Sequence, residues 1–437
     1  MAKRPNVLFL YTDDQRYDSV RALGNEVVHT PTLDALAGRG VTFTRPYIMG
    51  STVGAVCICS RATLMTGRTL WHAPRDCPEA LPILPEVLRE AGYTTFGTGK
   101  WHNQPGSYAR GFSQGSTIFF GGMSNHLAVP IHDFHPNGEY RREDQRIGKK
   151  FSSELFTDAA VDFLHRYEGE APFFAYVSYT APHDPRMAPE RYEALYPRRE
   201  IPVPENFVPE HPFDNGEMRI RDEELAPWPR TQTIVREHIG AYYAMITHLD
   251  EQMGRVLAAL DARGDRENTI VVFAGDNGLA VGQHGLLGKQ NLYEHSLRVP
   301  LLMAGPGIAR GESRDAFCYH LDLFPTLCEL AGVAAPGTVE GASLAPVLRG
   351  EATGVRDTVF AAYRDCQRMV RTDRFKLIRY TPDGPPRTQL FDLAEDPWET
   401  NDVAGDTAYS EHVAELESRL REWQEATDDP LVGGGAC

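Results

Sequence analysis

The chain has 437 residues, and its 44 Lys and Arg against 60 Asp and Glu give a formal net charge of −16. With 42% hydrophobic and 24% charged residues, its composition is typical of a folded globular protein, not of a disordered or fibrous one. The acidic balance argues against nucleic acid or a membrane surface as partner, whereas a local cluster of cations could still bind an anionic small molecule.

The N-terminal sequence indicates the cellular compartment of the chain. No apolar run approaches the about 18 residues that span a bilayer. Because a strand-like run at residues 6–12 begins almost at Met1, no room is left for a signal peptide, and the chain as it stands is predicted to be cytoplasmic. Removal of a signal would instead imply a periplasmic or secreted protein. Seven scattered cysteines do not form a small disulfide framework.

Alternating strand and helix patterns predict a doubly wound α/β fold, with a mostly parallel central sheet and helices on both faces. Short apolar runs predict buried strands at residues 6–12, 94–97, 172–179, 269–274 and 299–304. Apolar residues at helical spacing predict helices at 84–91, 153–167 and 233–263. We assign this pattern to one large domain over residues 1–355.

The remaining residues, 356–437, are predicted to form a smaller antiparallel α+β subdomain. Short strands joined by turns are expected at 358–363, 369–371, 375–380 and 389–393, with a covering helix at 408–427. Two earlier segments, 106–150 and 201–229, lack periodicity and are predicted to be irregular insertions, either functional loops or disordered spacers.

Oxygen-bearing side chains follow two of the predicted strands. Asp13 and Asp14 come directly after the first strand, and Asp276 and Asn277 follow the strand at 269–274. Either pair alone could be a turn or a helix cap. Ligands of open α/β sheets bind at the carboxyl ends of strands, so the two pairs together favour a hard cation such as Ca²⁺ or Mg²⁺. Zinc is disfavoured because no Cys or His ligand spacing accompanies them.

The segment CICSRATLMTGR at residues 57–68 is the most informative in the chain. If a helix begins near Cys57, Arg61 lies one turn later on the same face. The free amides of a helix N-terminus also suit an anion. The alternative interpretation is that Cys57 and Cys59 are inert buried thiols.

Four further basic side chains follow predicted strands or lie in the next loop: Lys100, His102, His183 and Lys289. A single Lys or His in a loop is more commonly solvated surface than a catalytic group. Their shared placement after strands indicates one joint site.

Taken together, these motifs resemble the sulfatase family of the alkaline-phosphatase-like superfamily over nearly the whole chain, from DDQ at 13–15 to LFDLAEDPWE at 390–399. The family signature Cys-x-Pro-Ser-Arg, followed by Thr-Gly-Arg, stands here as CICSR at 57–61 and TGR at 66–68. In the family the first cysteine is oxidised to formylglycine, whose hydrated aldehyde is the nucleophile. Cys59 departs from the usual Pro or Ala, at a position that the maturation enzyme reads.

The resemblance implies hydrolysis of a sulfate monoester, of a small molecule or a carbohydrate, and a formylglycine-generating enzyme as partner. It implies one divalent cation, expected to be Ca²⁺ with Mg²⁺ or Mn²⁺ as alternatives, on four ligands: Asp13, Asp14, Asp276 and Asn277. Cys57 is implied as the formylglycine precursor, and Arg61 would stabilise the formylglycine. Lys100 and Lys289 would bind the sulfate oxygens. His102 would assist the nucleophile, and His183 with Lys289 would protonate the leaving oxygen. His284 has a supporting role only.

Three other functions stay open at this point. A phosphodiesterase or phosphonate monoester hydrolase would use the same fold, because phosphoryl and sulfuryl groups share geometry. A catalytically inactive protein could bind a sulfated ligand with Cys57 unmodified. A zinc phosphomonoesterase is a weaker alternative, since it needs a Ser or Thr nucleophile and His ligands. The two insertions are expected to wall the leaving-group pocket with five residues: Arg110, His126, His132, His135 and Trp228.

Overall fold

The computed structural model describes residues 4–73, 75–77, 79–382 and 384–432. Its strands are, in chain order, β1 (Asn6–Thr12), β2 (Val41–Tyr47), β3 (Gly50–Ser51), β4 (Thr94–Lys100), β5 (Gln114–Phe119), β6 (Pro130–Ile131), β7 (Arg146–Ile147), β8 (Phe173–Ser178), β9 (Thr269–Gly275), β10 (Leu301–Ala304), β11 (Glu312–Tyr319), β12 (Val359–Tyr363), β13 (Gln367–Arg371), β14 (Phe375–Tyr380) and β15 (Arg387–Asp392). Its α-helices are α1 (Pro31–Arg39), α2 (Val56–Thr66), α3 (Leu84–Glu90), α4 (Pro105–Gly111), α5 (Ser152–Arg166), α6 (Glu190–Glu193), α7 (Gln232–Ala262), α8 (Glu294–Leu297), α9 (Leu323–Leu330), α10 (Ala345–Leu348) and α11 (Ser410–Ala426).

The large sheet has the strand order β11-β2-β10-β9-β1-β8-β4-β5. Its neighbouring strands run parallel, except that β10 is antiparallel to both β9 and β2. The predicted mostly parallel sheet is therefore confirmed. The exception has a physical cause: a parallel return needs a long crossover, whereas the chain between β9 and β10 stays near the carboxyl end of β9 and contains only the four-residue helix α8.

Helices cover both faces of this sheet, which confirms the doubly wound arrangement. Successive residues of β1 alternate between two cores because side chains of a strand point to opposite faces. Leu8 and Leu10 join a core that includes residues of α1, α5 and α7. Val7 and Phe9 join the core on the other face, which includes residues of α2, α3 and α9.

The predicted smaller antiparallel sheet with its helix is also confirmed. Its order is β15-β14-β13-β12-β3, and α11 places Leu416 and Leu420 in a core with residues of β13, β14 and β15. The edge strand β3 comes from the segment just before α2 and pairs in parallel with β12. The division of the chain at 355/356 stays a prediction, and residues 433–437, including Cys437, lie outside the described residues.

The segment at 106–150, predicted to be irregular, contains regular structure, and this prediction was wrong in part. It holds most of α4 and the strand β5, which pairs with β4 at the edge of the large sheet. The sequence of β5, QGSTIF, lacks a continuous apolar run because its first residues are not fully buried. Strand β11 was not predicted for the same reason, since its first half is polar and largely solvent-accessible. None of the helices in the described part of the chain combines the length and apolarity needed to cross a bilayer.

Candidate active site

Four adjacent parallel strands place the predicted site residues at one edge of the large sheet. Strands β9, β1, β8 and β4 lie side by side in that order, with their carboxyl ends pointing the same way. The residues that follow these strands therefore converge, as the strand-end argument predicts.

The oxygen-bearing residues after β1 and β9 form one buried group. The exposed fraction of Asp13, Asp14, Asp276 and Asn277 is at most 2%. The backbone N–H of Asp14 donates to Asp276 Oδ1 (2.9 Å), and Asn277 Nδ2 donates to Asp14 Oδ1 (2.7 Å). Asp14 has a left-handed backbone (φ 61°), which non-glycine residues adopt at a cost and mostly at functional sites.

Two oxygens of this group are buried without a hydrogen-bond partner among the described residues: Asp13 Oδ1 and Asn277 Oδ1. Such oxygens are rare in native interiors and require an explanation. Burial and the neighbouring Asp13 carboxylate also raise the pKa of Asp276, to about 7. A hard divalent cation would satisfy the free oxygens and relieve the repulsion between carboxylates, so the donor set fits Ca²⁺ or Mg²⁺.

Three cations each hold one of these carboxylates: Lys100 with Asp13, Lys289 with Asp14 (Nζ–Oδ1, 2.6 Å), and Arg61 with Asp276 (Nε–Oδ2, 2.9 Å). Although burial opposes its charge, the Asp14 carboxylate raises the pKa of Lys289 well above its usual range. Because cations and carboxylates are equal in number, a divalent cation would leave an excess of positive charge for an anionic ligand.

Cys57 lies in the first turn of α2, directly beside this group, and is 2% exposed. Its Sγ is 3.5 Å from Lys100 Nζ and 3.2 Å from His102 Nδ1. Burial raises the pKa of the thiol to about 11, despite the opposing charge of Lys100. The unmodified thiol is therefore protonated at neutral pH and is a weak nucleophile.

Arg61 is locked into position by contacts on several sides. Its Nη1 donates to the Lys100 carbonyl (2.9 Å) and to Ser178 Oγ (2.6 Å), and its guanidinium lies 4.9 Å from the centre of the Tyr11 ring. The sequence argument missed Ser178. Its position next to the end of the strand predicted at 172–179 is the signal that could have identified it.

The two predicted histidines lie on opposite sides of the group. His102 has a left-handed backbone (φ 53°), and burial together with Lys100 lowers the pKa of its ring to about 2, so the ring is neutral. His183 Nδ1 donates to the Asp184 carbonyl (2.8 Å), which directs Nε2 to within 3.6 Å of Asp14 Oδ2. His126 Nε2 in turn donates to the His183 carbonyl (2.8 Å).

Asp184 and Arg221 were also missed, and their carboxylate and guanidinium form an ion pair beside His183. Arg221 lies in the insertion at 201–229, whose position no periodicity could predict. Four of the five residues named for the pocket wall have other partners: Arg110 donates to the Glu79 carbonyl, His126 contacts Ser152, His132 contacts Gln145, and Trp228 stacks on Arg230. His284 stacks on Tyr293 with ring centres 4.0 Å apart and contacts Asn206, away from the thiol.

Comparisons with known proteins find matches over most of the chain. The sulfatase family model matches residues 5–333, and the model described as N-sulphoglucosamine sulphohydrolase, C-terminal, matches 282–426. An N-acetylglucosamine-6-O-sulfatase of Bacteroides thetaiotaomicron is 27% identical over 98% of this chain and 87% of its own length.

Solved structures show the same fold. One protein in complex with its substrate, D-glucosamine-2-N,6-O-disulfate, is 25% identical, with a TM-score of 0.84 over 99% of this chain and all of its own. The phosphonate monoester hydrolase of Agrobacterium radiobacter has a TM-score of 0.78 at 24% identity, over 96% of each chain. The chain therefore belongs to the sulfatase family of the alkaline phosphatase superfamily and is an enzyme of the class that hydrolyses sulfate esters.

Proposed function

We propose that the chain hydrolyses a sulfate monoester with a formylglycine hydrate derived from Cys57 and one divalent cation. The cation is expected to be Ca²⁺, with Asp13, Asp14, Asp276 and Asn277 as its ligands. The observation that carries the proposal is the position of Cys57, 3.5 Å from Lys100, beside buried oxygens of Asp13 and Asn277 that have no hydrogen-bond partner among the described residues. A formylglycine-generating enzyme is the maturation partner that this requires.

When present, the formylglycine hydrate supplies a hydroxyl nucleophile and the cation supplies positive charge beside it. The residues of the chain bind and orient the ester. Lys100 and Lys289 are 0% and 4% exposed, so their ammonium groups act in a site from which water is largely excluded. Fixed cations aimed at the sulfate oxygens and at the bridging oxygen, which gains negative charge as its bond to sulfur breaks, are the largest expected source of rate enhancement.

Proton transfer is assigned to the two histidines. His102 Nδ1 lies 3.2 Å from Cys57 Sγ, within reach of a proton on a nucleophile at position 57, and we assign it to the transfer of that proton. His183 presents Nε2 to the site on the side of Asp14 and Lys289, where a leaving oxygen would gain negative charge. We assign His183 and Lys289 to protonation and stabilisation of that oxygen.

Parallel assays test the reaction class. Initial rates would be measured for an aryl sulfate, N-acetylglucosamine 6-sulfate, an aryl phosphodiester and an aryl phosphonate monoester, on one matured preparation. We expect the highest kcat/KM for one of the two sulfates. The carbohydrate sulfate is included because a relative acts on it by name. A phosphodiester or phosphonate as the best substrate would replace the sulfatase proposal.

The role of His183 predicts a dependence on the leaving group. Replacing His183 by Asn should lower kcat/KM about 10²- to 10⁴-fold for a sugar or alkyl sulfate, whose alkoxide needs a proton as it leaves. The loss should be less than about tenfold for 4-nitrophenyl sulfate, whose phenolate leaves without help. Replacing the exposed His165, in the last turn of α5, by Asn is the matched control. An equal loss for both substrates would assign His183 to binding instead of protonation.

Protein made without the maturation enzyme should carry a slow-reacting thiol at Cys57. With the pKa of the thiol at about 11, the thiolate fraction rises about tenfold for each pH unit between pH 8 and pH 10. The rate of iodoacetamide labelling of the Cys57 peptide should rise by the same factor, as followed by mass spectrometry. Fast labelling at pH 7 that levels off below pH 9 would contradict this.

A further inference from the structure

A cavity of about 840 Å³ lies apart from the candidate active site. Its wall comes from three segments of the chain: residues 16–27, residues 202–206 and the C-terminal loop at 397–399, with further residues of α7 and α8. Its described lining includes none of Cys57, Lys100, His102, His183 and Lys289. The proposed sulfatase reaction therefore leaves this cavity without a role.

Polar atoms without hydrogen-bond partners among the described residues are concentrated in this wall. They include Arg16 Nη1, Asn206 Oδ1 and both ring nitrogens of His295. Arg16 and Asn206 are 3% and 5% exposed, so these atoms are costly unless a ligand or water meets them. The arginine nitrogen donates, the amide oxygen accepts, and a neutral imidazole does both. Hydroxyl groups match such a mixed set because each one can donate and accept.

The charges of the wall do not suit an anion. Its three arginines face five carboxylates: Arg16, Arg298 and Arg371 against Asp18, Glu26, Glu205, Glu294 and Glu399. Each arginine has a contact within the chain: Arg16 pairs with Asp18 (2.7 Å), Arg298 donates to the Thr44 carbonyl (2.7 Å), and Arg371 Nε lies 3.7 Å from Glu294.

Two of the carboxylates, one buried and one partly buried, are engaged as well. Glu399 pairs with Lys376 (2.7 Å) and Glu294 with the same lysine (3.1 Å). Because carboxylates outnumber arginines in the wall and each arginine contacts another group of the chain, the cavity offers hydrogen bonds and shape, not a site for an anion.

The loop at 397–399 adds an aromatic surface. Trp398 is 37% exposed, which is unusual for a residue of this size, and it lines the cavity beside Pro397 and Pro204. An exposed indole next to unsatisfied polar groups is suited to a ligand with an apolar face and a hydroxylated edge. We propose that this cavity binds an uncharged sugar, with the ring stacked on Trp398 and hydroxyl groups bonded to Arg16, Asn206 and His295.

Calorimetry and ligand-observed NMR on the full chain test this proposal. The probes are N-acetylglucosamine, galactose, lactose and N,N′-diacetylchitobiose, with glucose 6-sulfate as the anionic control. We expect at least one neutral sugar to bind with one site per chain. Its affinity should fall about tenfold in Trp398→Ala, be largely restored in Trp398→Phe, and stay unchanged in the exposed control Met123→Ala.

The same titration distinguishes this cavity from the catalytic site. Binding of the neutral sugar should persist in Cys57→Ser and in the presence of EDTA, and glucose 6-sulfate should not displace it. Absence of binding for all four sugars would overturn the proposal, as would binding that Trp398→Ala leaves unchanged or that Cys57→Ser abolishes. Because these readouts do not use turnover, the proposed sulfatase function could fail while this inference stands, or the reverse.

Discussion

Replacing Cys57 by Ala should lower kcat/KM for a sulfate ester by at least about 10⁴-fold, because loss of a covalent nucleophile removes most of the rate enhancement. The other groups of the site, including Arg61 and Lys100, remain in this variant and would still bind the ester. We therefore expect KM to change much less than kcat. Rates at saturating substrate and a sulfate-binding titration would separate the two quantities.

Cys59 offers a matched control in the same helix. It is fully buried like Cys57, and Cys59→Ala places a residue there that the family signature accepts. We expect the Cys59→Ala variant to keep at least the activity of the original chain, provided that both are produced with the maturation enzyme. Full activity in Cys57→Ala, or an equal loss in Cys59→Ala, would contradict the assignment of the nucleophile.

Removal of the divalent cation should lower activity about 10²- to 10³-fold, as expected for the loss of a major source of electrostatic stabilisation. Asn277→Ala should have the same effect because it removes an oxygen without a partner among the described residues, and its activity should respond poorly to added Ca²⁺. In the wild type, EDTA should lower activity by this factor and Ca²⁺ should restore it. Turnover measured against free Ca²⁺ concentration checks both expectations.

A second readout of the same prediction does not depend on catalysis. A cation that binds only the folded state stabilises it, by about 2.7 kcal/mol at a concentration of 100 times Kd. Ca²⁺ should therefore raise the Tm of the wild type but not that of Asn277→Ala. Asn268→Ala, at the opposite end of β9, is the control and should behave as the wild type. An unchanged Tm with Ca²⁺ in the wild type would argue against the proposed site.

The site was largely predictable because it depends on where strands end. Apolar runs locate the ends of β1 and β9, so Asp13 and Asn277 could be placed together before any contact was known. The antiparallel direction of β10 could not be predicted, because its apolar sequence suits either direction. Strand β5 was missed since its first residues are partly accessible and carry no periodic signal.

Contacts between distant loops could not be predicted from the sequence. The ion pair of Arg221 with Asp184 joins two segments without periodicity, and the partner of such an arginine depends on the path of the loop. The cavity beside Trp398 has the same origin, because three separate segments build its wall. Side chains that follow regular elements can be assigned from the sequence, whereas those that meet across irregular segments require coordinates.

The most direct test of the whole account is the turnover of a sulfate ester per chain as a function of the fraction of residue 57 present as formylglycine. That fraction is read from the peptide mass, which loses one sulfur and two hydrogens and gains one oxygen on conversion. Preparations made with and without the maturation enzyme supply the range. We predict that turnover is proportional to the formylglycine fraction and vanishes with it. Full turnover in a preparation that contains only the thiol would contradict the account.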